Sequence, residues 1–88
     1  MPSAQENASV TFRMFASART AAGAGEVKVA SGPVAEVVAA LAADLPARFS
    51  DVLAASSLVA DGQRLDHGSS TPLAGGTVVD VLPPFAGG

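Results

Sequence analysis

The sequence contains no cysteine. That removes disulfides, thiolate nucleophiles and thiolate metal ligands together, so any sulfur chemistry must run through a group other than a side-chain thiol. A chain without disulfides fits a reducing compartment. Basic residues are also few. Arg13, Arg19, Lys28, Arg48 and Arg64 are scattered and face eight acidic residues, for a net charge of −3. Nucleic-acid binders need clustered Lys and Arg to displace counterions, so this balance argues against nucleic acid as a partner. An acidic surface suits a basic protein partner, or serves solubility.

Long hydrophobic runs are missing as well. The longest, Val34 to Ala43, is interrupted by Glu36 and falls short of the ~20 residues a membrane span requires. Residues Met1 to Asn7 lack the basic and apolar parts of a signal peptide. The expectation is a soluble, cytoplasmic protein with no membrane partner.

Histidine occurs once, at His67. It lies in a predicted loop beside Asp66 and Gly68, without the partners that triads and metal sites require, and reads as an exposed loop residue. The carboxylates Asp44, Asp51, Asp61, Asp66 and Asp80 show no metal-loop spacing. Gly23-Ala24-Gly25 joins two predicted strands rather than a strand and a helix, so it reads as a hairpin turn and not as a phosphate cradle.

What is present describes one small domain. Residues 1–8 are polar and without period, which predicts a disordered N-terminal arm. From Ser9, Val10, Phe12 and Met14 alternate with Thr11, Arg13 and Phe15, the period of a strand. Ala21 to Gly25 reads as a turn, and Glu26 to Val29 as a second strand completing a hairpin. Ser31-Gly32-Pro33 reads as a helix entry, with Ser31 or Gly32 as the cap and Pro33 in the first turn. Val34, Val37, Val38, Leu41 and Leu45 then recur at helical spacing until Pro46.

Beyond Pro46 the pattern shortens. A helical turn begun by Ser50 falls within Ala47 to Ala55. Leu58 to Ala60 is a short strand, Asp61-Gly62 a turn, and Gln63 to Leu65 a minor return strand. Asp66 to Gly76 is loop. Thr77 to Leu82 alternates again as the last strand, and Pro83-Pro84 stops it. The apolar parity (Val10, Phe12, Met14, Val27, Val29, Val79, Val81) lies under the helix. The expected class is α+β, a mixed sheet packed on one main helix in the β-grasp arrangement, with the domain over residues 9–82 and an extended, flexible tail over 83–88.

That tail is Pro83-Pro84-Phe85-Ala86-Gly87-Gly88. A Gly-Gly end arises by chance in roughly one chain in 200 at average glycine usage. Its base follows directly from a core strand, and Pro83-Pro84 stiffens its exit. A carboxylate on Gly88 is a poor electrophile until converted to an acyl adenylate. The two glycines let the backbone enter a channel that any side chain would block. Extended, Phe85 to Gly88 reaches at most ~14 Å, enough to place the carboxylate inside a partner.

Over Val10 to Gly88 the sequence resembles the MoaD/ThiS family of sulfur carriers, most closely the branch that forms the small subunit of molybdopterin synthase. The resemblance rests on Val10-Thr11-Phe12-Arg13-Met14-Phe15-Ala16-Ser17-Ala18-Arg19 and on Pro72-Leu73-Ala74-Gly75-Gly76-Thr77-Val78-Val79-Asp80-Val81-Leu82 followed by Pro83-Pro84-Phe85-Ala86-Gly87-Gly88. The sequence departs from the family at two turns. Val59-Ala60-Asp61-Gly62 stands where members often have Val-Asn-Gly, and Gly75-Gly76-Thr77 where they often have Asp-Gly-Asp.

The resemblance implies a ubiquitin-like fold and a defined cycle. A ubiquitin-activating-type (MoeB-like) enzyme, using ATP and Mg, adenylates Gly88. A sulfur donor protein supplies sulfur, and Gly88 becomes a thiocarboxylate, with Gly87 in the channel beside it. The tail then enters the MoaE-like large subunit of molybdopterin synthase, which carries the catalytic side chains, and sulfur passes to precursor Z (cyclic pyranopterin monophosphate) in molybdenum cofactor biosynthesis. This chain is then no enzyme alone and binds no cofactor or metal of its own. Partner contacts carry over to Phe15, Arg19, Leu82, Pro83, Pro84, Phe85 and Ala86. Alternatives left open are sulfur carriage for cysteine or thiamine biosynthesis, a ubiquitin-like modifier joined to protein lysines, and a passive interaction domain.

Overall fold

Alternation of apolar and polar residues builds the sheet, and its register decides which side chains meet. In the computed structural model, residues 8–84 are described. Strands β1 (Ser9–Met14), β2 (Glu26–Ala30), β4 (Ser57–Ala60), β5 (Gln63–Leu65) and β7 (Val78–Leu82) form one sheet in the order β2-β1-β7-β4-β5. The last strand therefore lies in the middle, parallel to β1 and antiparallel to β4. Two further short strands, β3 (Gly32–Pro33) and β6 (Pro72–Leu73), pair with each other.

One face of the sheet is dry. Val10, Phe12, Met14, Val29, Leu58, Val79 and Val81 point into the core, as the alternation predicts, and Val27 is half-buried against it. Helices cover this face: α1 (Ala16–Ala22), α2 (Val34–Ala43) and α3 (Ala47–Ala55). Val34, Val37 and Leu41 of α2 and Phe49 and Leu53 of α3 complete the core. This is the expected α+β sandwich of a mixed sheet and helices, with three helices where the sequence shows one main helix.

The differences have local causes. The β1–β2 pair is antiparallel as expected, but α1 interrupts the connection, and Ala21-Ala22, read as turn, are its last residues. Its buried side chains are alanines, Ala18, Ala21 and Ala22, which mark no apolar period. Gly23 at φ 76° then closes the helix with its N–H on the Arg19 carbonyl.

At α2, neither Ser31 nor Gly32 is the cap; Pro33 is, without a side-chain bond. The Val34 and Ala35 N–H groups instead donate to the Thr71 and Ser69 carbonyls, both at 3.0 Å. The loop after β5 thus satisfies donors that a cap would otherwise serve. Helix α2 ends at Ala43, before Pro46, and Pro46 instead stands at the N-cap of α3. Ser50 lies inside α3, not at its start.

Asp61-Gly62 makes the turn expected of it. Ala60 pairs with Gln63, leaving a two-residue loop with φ of 52° and 76°, the positive pair that a type I′ hairpin requires. Ala8, assigned to the arm, accepts a hydrogen bond from the Ser31 N–H and so extends the β1–β2 ladder by one rung. Residues 1–7 lie outside the described residues.

Candidate functional site

Among the described residues no helix covers the sheet's second face, and side chains of outward parity stand along it. Strand register brings five of them into a row that crosses every strand: Glu26, Arg13, Asp80, Val59 and Arg64. At its centre Arg13 grips Asp80 with two prongs, Nε to Oδ1 at 2.6 Å and Nη2 to Oδ2 at 3.1 Å. These bonds and the carboxylate's charge raise the Arg13 pKa further above its ordinary value.

Around this pair stand the exposed large apolar side chains: Phe15 at 40%, Val78 at 41% and Leu82 at 36%. Three large apolar side chains thus stand exposed on one sheet face around an internally neutralised ion pair. Phe15 lies one residue past β1, in extended conformation at the N-cap of α1, and Leu82 ends β7. Because β1 and β7 run parallel with Met14 beside Val81, both residues come to the same end of the sheet. Both are exposed, the outcome expected from their parity. Arg19 is exposed on α1, one turn beyond Phe15, whose carbonyl accepts the Arg19 N–H at 3.4 Å.

The chain leaves the sheet at that same end. Pro83 is buried and Pro84 exposed. The exit is therefore anchored in the middle strand of the sheet. Phe85, Ala86, Gly87 and Gly88 lie outside the described residues.

Val78, Arg13 and Asp80 complete the exposed patch, and no sequence motif marks them as contact residues. Their outward parity was visible; the pairing of β1 with β7, which sets Arg13 beside Asp80, was not.

His67 is half-buried rather than exposed. Its Nε2 donates to the Ser56 carbonyl at 2.9 Å, which fixes the loop after β5 against the start of β4. Asp66 Oδ1 accepts the Gly68 N–H. With Arg64 and Ser57 they line an open groove of about 430 Å³, and the bonds made by His67 and Asp66 are those of a structural turn. Among the described residues no group of His, Asp or Glu is placed to hold a metal ion, and no helix is long and apolar enough to cross a membrane.

Comparison with known proteins agrees with this geometry. The ThiS family model matches residues 12–88. Among solved structures, small archaeal modifier protein 1 from Haloferax volcanii superposes with a TM-score of 0.73 at 26% identity, over 91% of this chain and 99% of that one. The same modifier from Methanosarcina acetivorans gives 0.73 at 25% identity, over 92% and 97%. A putative molybdopterin converting factor, subunit 1, from Pyrococcus furiosus gives 0.72 at 20% identity, over 88% and 98%, which shows the shared fold. Comparison with curated proteins finds no match. A five-stranded β-grasp sheet, an anchored exit from its middle strand and a family match running through Gly88 together make this chain a member of the ThiS family, the ubiquitin-fold group of sulfur carriers and small modifiers.

Proposed function

We propose that this chain is the sulfur-donating small subunit of molybdopterin synthase, acting through Gly88. The observation that carries the reading is the exit: the middle strand of the sheet ends at Leu82 and the chain leaves it through buried Pro83, five residues before Gly88 in sequence. A tail launched from the most constrained strand has a fixed origin, so a partner that docks the patch also receives the tail in register.

The chemistry needs no side chain of this protein. The Gly88 carboxylate attacks the α-phosphorus of ATP on an adenylating enzyme that holds Mg, and pyrophosphate leaves. A persulfide sulfur on a donor protein then attacks the acyl carbon and AMP departs; a thiol reduces the resulting acyl disulfide, which frees the thiocarboxylate and leaves the donor cysteine in a disulfide with that thiol. The resulting thiocarboxylate enters the large synthase subunit and passes its sulfur to precursor Z. Phe15, Arg19 and Leu82 make the docking contacts beside the tail, with Pro84, Phe85 and Ala86 leading into the channel. Pro83 contributes from within the body, as the anchor.

The test is the intact mass of the native protein's last peptide, read with copurification. A sulfur-for-oxygen gain at Gly88, together with a copurifying large synthase subunit, is the expected result. A carboxylate that stays unmodified in cells making active molybdoenzymes overturns the reading.

A second reading has its own support. The two solved relatives at 25% and 26% identity are small archaeal modifier proteins. On that reading Gly88 is joined to protein lysines, and the same mass measurement finds it in an isopeptide-linked fragment.

A further inference from the structure

Arg13 connects two things that lie apart in sequence. Asp80 clamps its guanidinium from the neighbouring parallel strand, and the same guanidinium lies 5.8 Å from the centroid of the Phe15 ring. A two-pronged clamp fixes the plane of the guanidinium, not merely its charge. The Phe15 ring, 40% exposed, lies within cation–π reach of that fixed guanidinium.

We propose that Arg13, held by Asp80, is a positioning residue for partner docking: it keeps Phe15 in the orientation in which the partner receives it. An exposed aromatic side chain otherwise loses its rotamer freedom at the moment of binding, and a ring already ordered avoids that loss. The inference rests on the proposed reading of Phe15 as a docking contact, here taken up with the adenylating enzyme. It also defines the surface that fits. The ion pair is neutral within itself, so the matching surface is an apolar recess for the ring, without an unpaired charge facing Arg13 and Asp80. A partner charge placed there is stripped of water without gaining a counterion.

The experiment uses the full chain and a purified ubiquitin-activating-type adenylating enzyme from the same organism. Pyrophosphate exchange gives kcat and KM for the carrier. Arg13→Met, Arg13→Lys and Asp80→Asn are each measured alone and together with Phe15→Ala. In parallel, the χ1 scalar couplings of Phe15 are recorded by NMR in the free variants, which also shows that each is folded.

The expected result is a rise in KM of about two- to fivefold for each single variant, carried by KM rather than kcat. Arg13→Lys is affected too, because it keeps the charge and loses the planar clamp. In the Phe15→Ala background the rise disappears, as a coupled pair requires. The Phe15 couplings move toward rotamer averaging in Arg13→Met and Asp80→Asn. A KM effect that persists in full without the ring, or couplings unchanged by Arg13→Met, overturns the inference and leaves the docking reading standing. A KM untouched by Phe15→Ala removes Phe15 as a contact for this enzyme, and this inference with it.

Discussion

Pro83 is buried and its neighbour Pro84 is exposed, so burial falls off across the peptide bond between them. On the proposed function, stability and tail chemistry should therefore separate. Deleting Gly88, five residues beyond buried Pro83 in sequence, should shift unfolding by no more than about 0.5 kcal/mol. Sulfur loading should be lost completely, because the acyl group would then sit one residue short of its position in the channel. Thermal unfolding and intact mass after incubation with the activating system check both halves. Comparable loading of the shortened chain refutes the prediction.

Gly87→Val tests the channel by shape rather than length. A branched side chain beside the terminal residue should block adenylation while leaving the melting temperature unchanged, since position 87 lies beyond buried Pro83. Pyrophosphate exchange reads it directly, and normal exchange by this variant argues against a narrow channel.

Phe15→Glu separates docking from folding. The side chain is exposed and follows the last residue of β1, so a charge there should cost about 0.5 kcal/mol or less in stability. Partner affinity should fall at least about tenfold, as expected for loss of an aromatic anchor with a charge in its place. Titration calorimetry against the adenylating enzyme or the large synthase subunit gives the affinity. Unchanged affinity for both returns Phe15 to an edge residue without a partner.

The core makes the opposite prediction. Leu41 of α2 is fully buried under the sheet, and a Leu→Ala change at such a site costs about 2–5 kcal/mol. A domain this small has only roughly 5 kcal/mol to lose. Leu41→Ala should therefore populate unfolded chain near physiological temperature and reduce loading in proportion to the unfolded fraction. Circular dichroism melts alongside loading assays show whether the two losses track each other.

How much of this was readable in advance depended on the size of the side chains. Strands β1, β2 and β7 announced themselves through Val and Phe at alternate positions, and α2 through Val34, Val37 and Leu41. Helix α1 did not, since Ala18, Ala21 and Ala22 fill its buried face and alanine marks helix and turn alike. Helix α3 was partly hidden for another reason: Phe49 and Leu53 are its only fully buried anchors, and two positions establish no period. Likewise β6 is two residues whose pairing with Gly32 and Pro33 is entirely non-local. At the site, Phe15 and Leu82 were legible from parity, whereas the Arg13–Asp80 clamp arises from strands 67 residues apart in sequence.

Helix α1 is bounded by two residues with positive φ, Ala16 at 49° and Gly23 at 76°. Only Gly23 is free of strain there, because an L side chain in the left-handed region crowds its own carbonyl. The two ends should therefore respond with opposite signs. Gly23→Ala meets no neighbour within 4 Å, so its whole cost is conformational, about 1 kcal/mol of destabilisation. Ala16→Gly should relieve a cost of about that size, less the extra freedom glycine gives the unfolded chain, for a net gain of roughly 0.5 kcal/mol. Urea unfolding of the two variants reads both signs in one experiment. Equal destabilisation by the two changes would mean that Ala16 is held without strain, and that the sharp turn after Phe15 is stabilised by the packing of Ala18 and Ala21 alone.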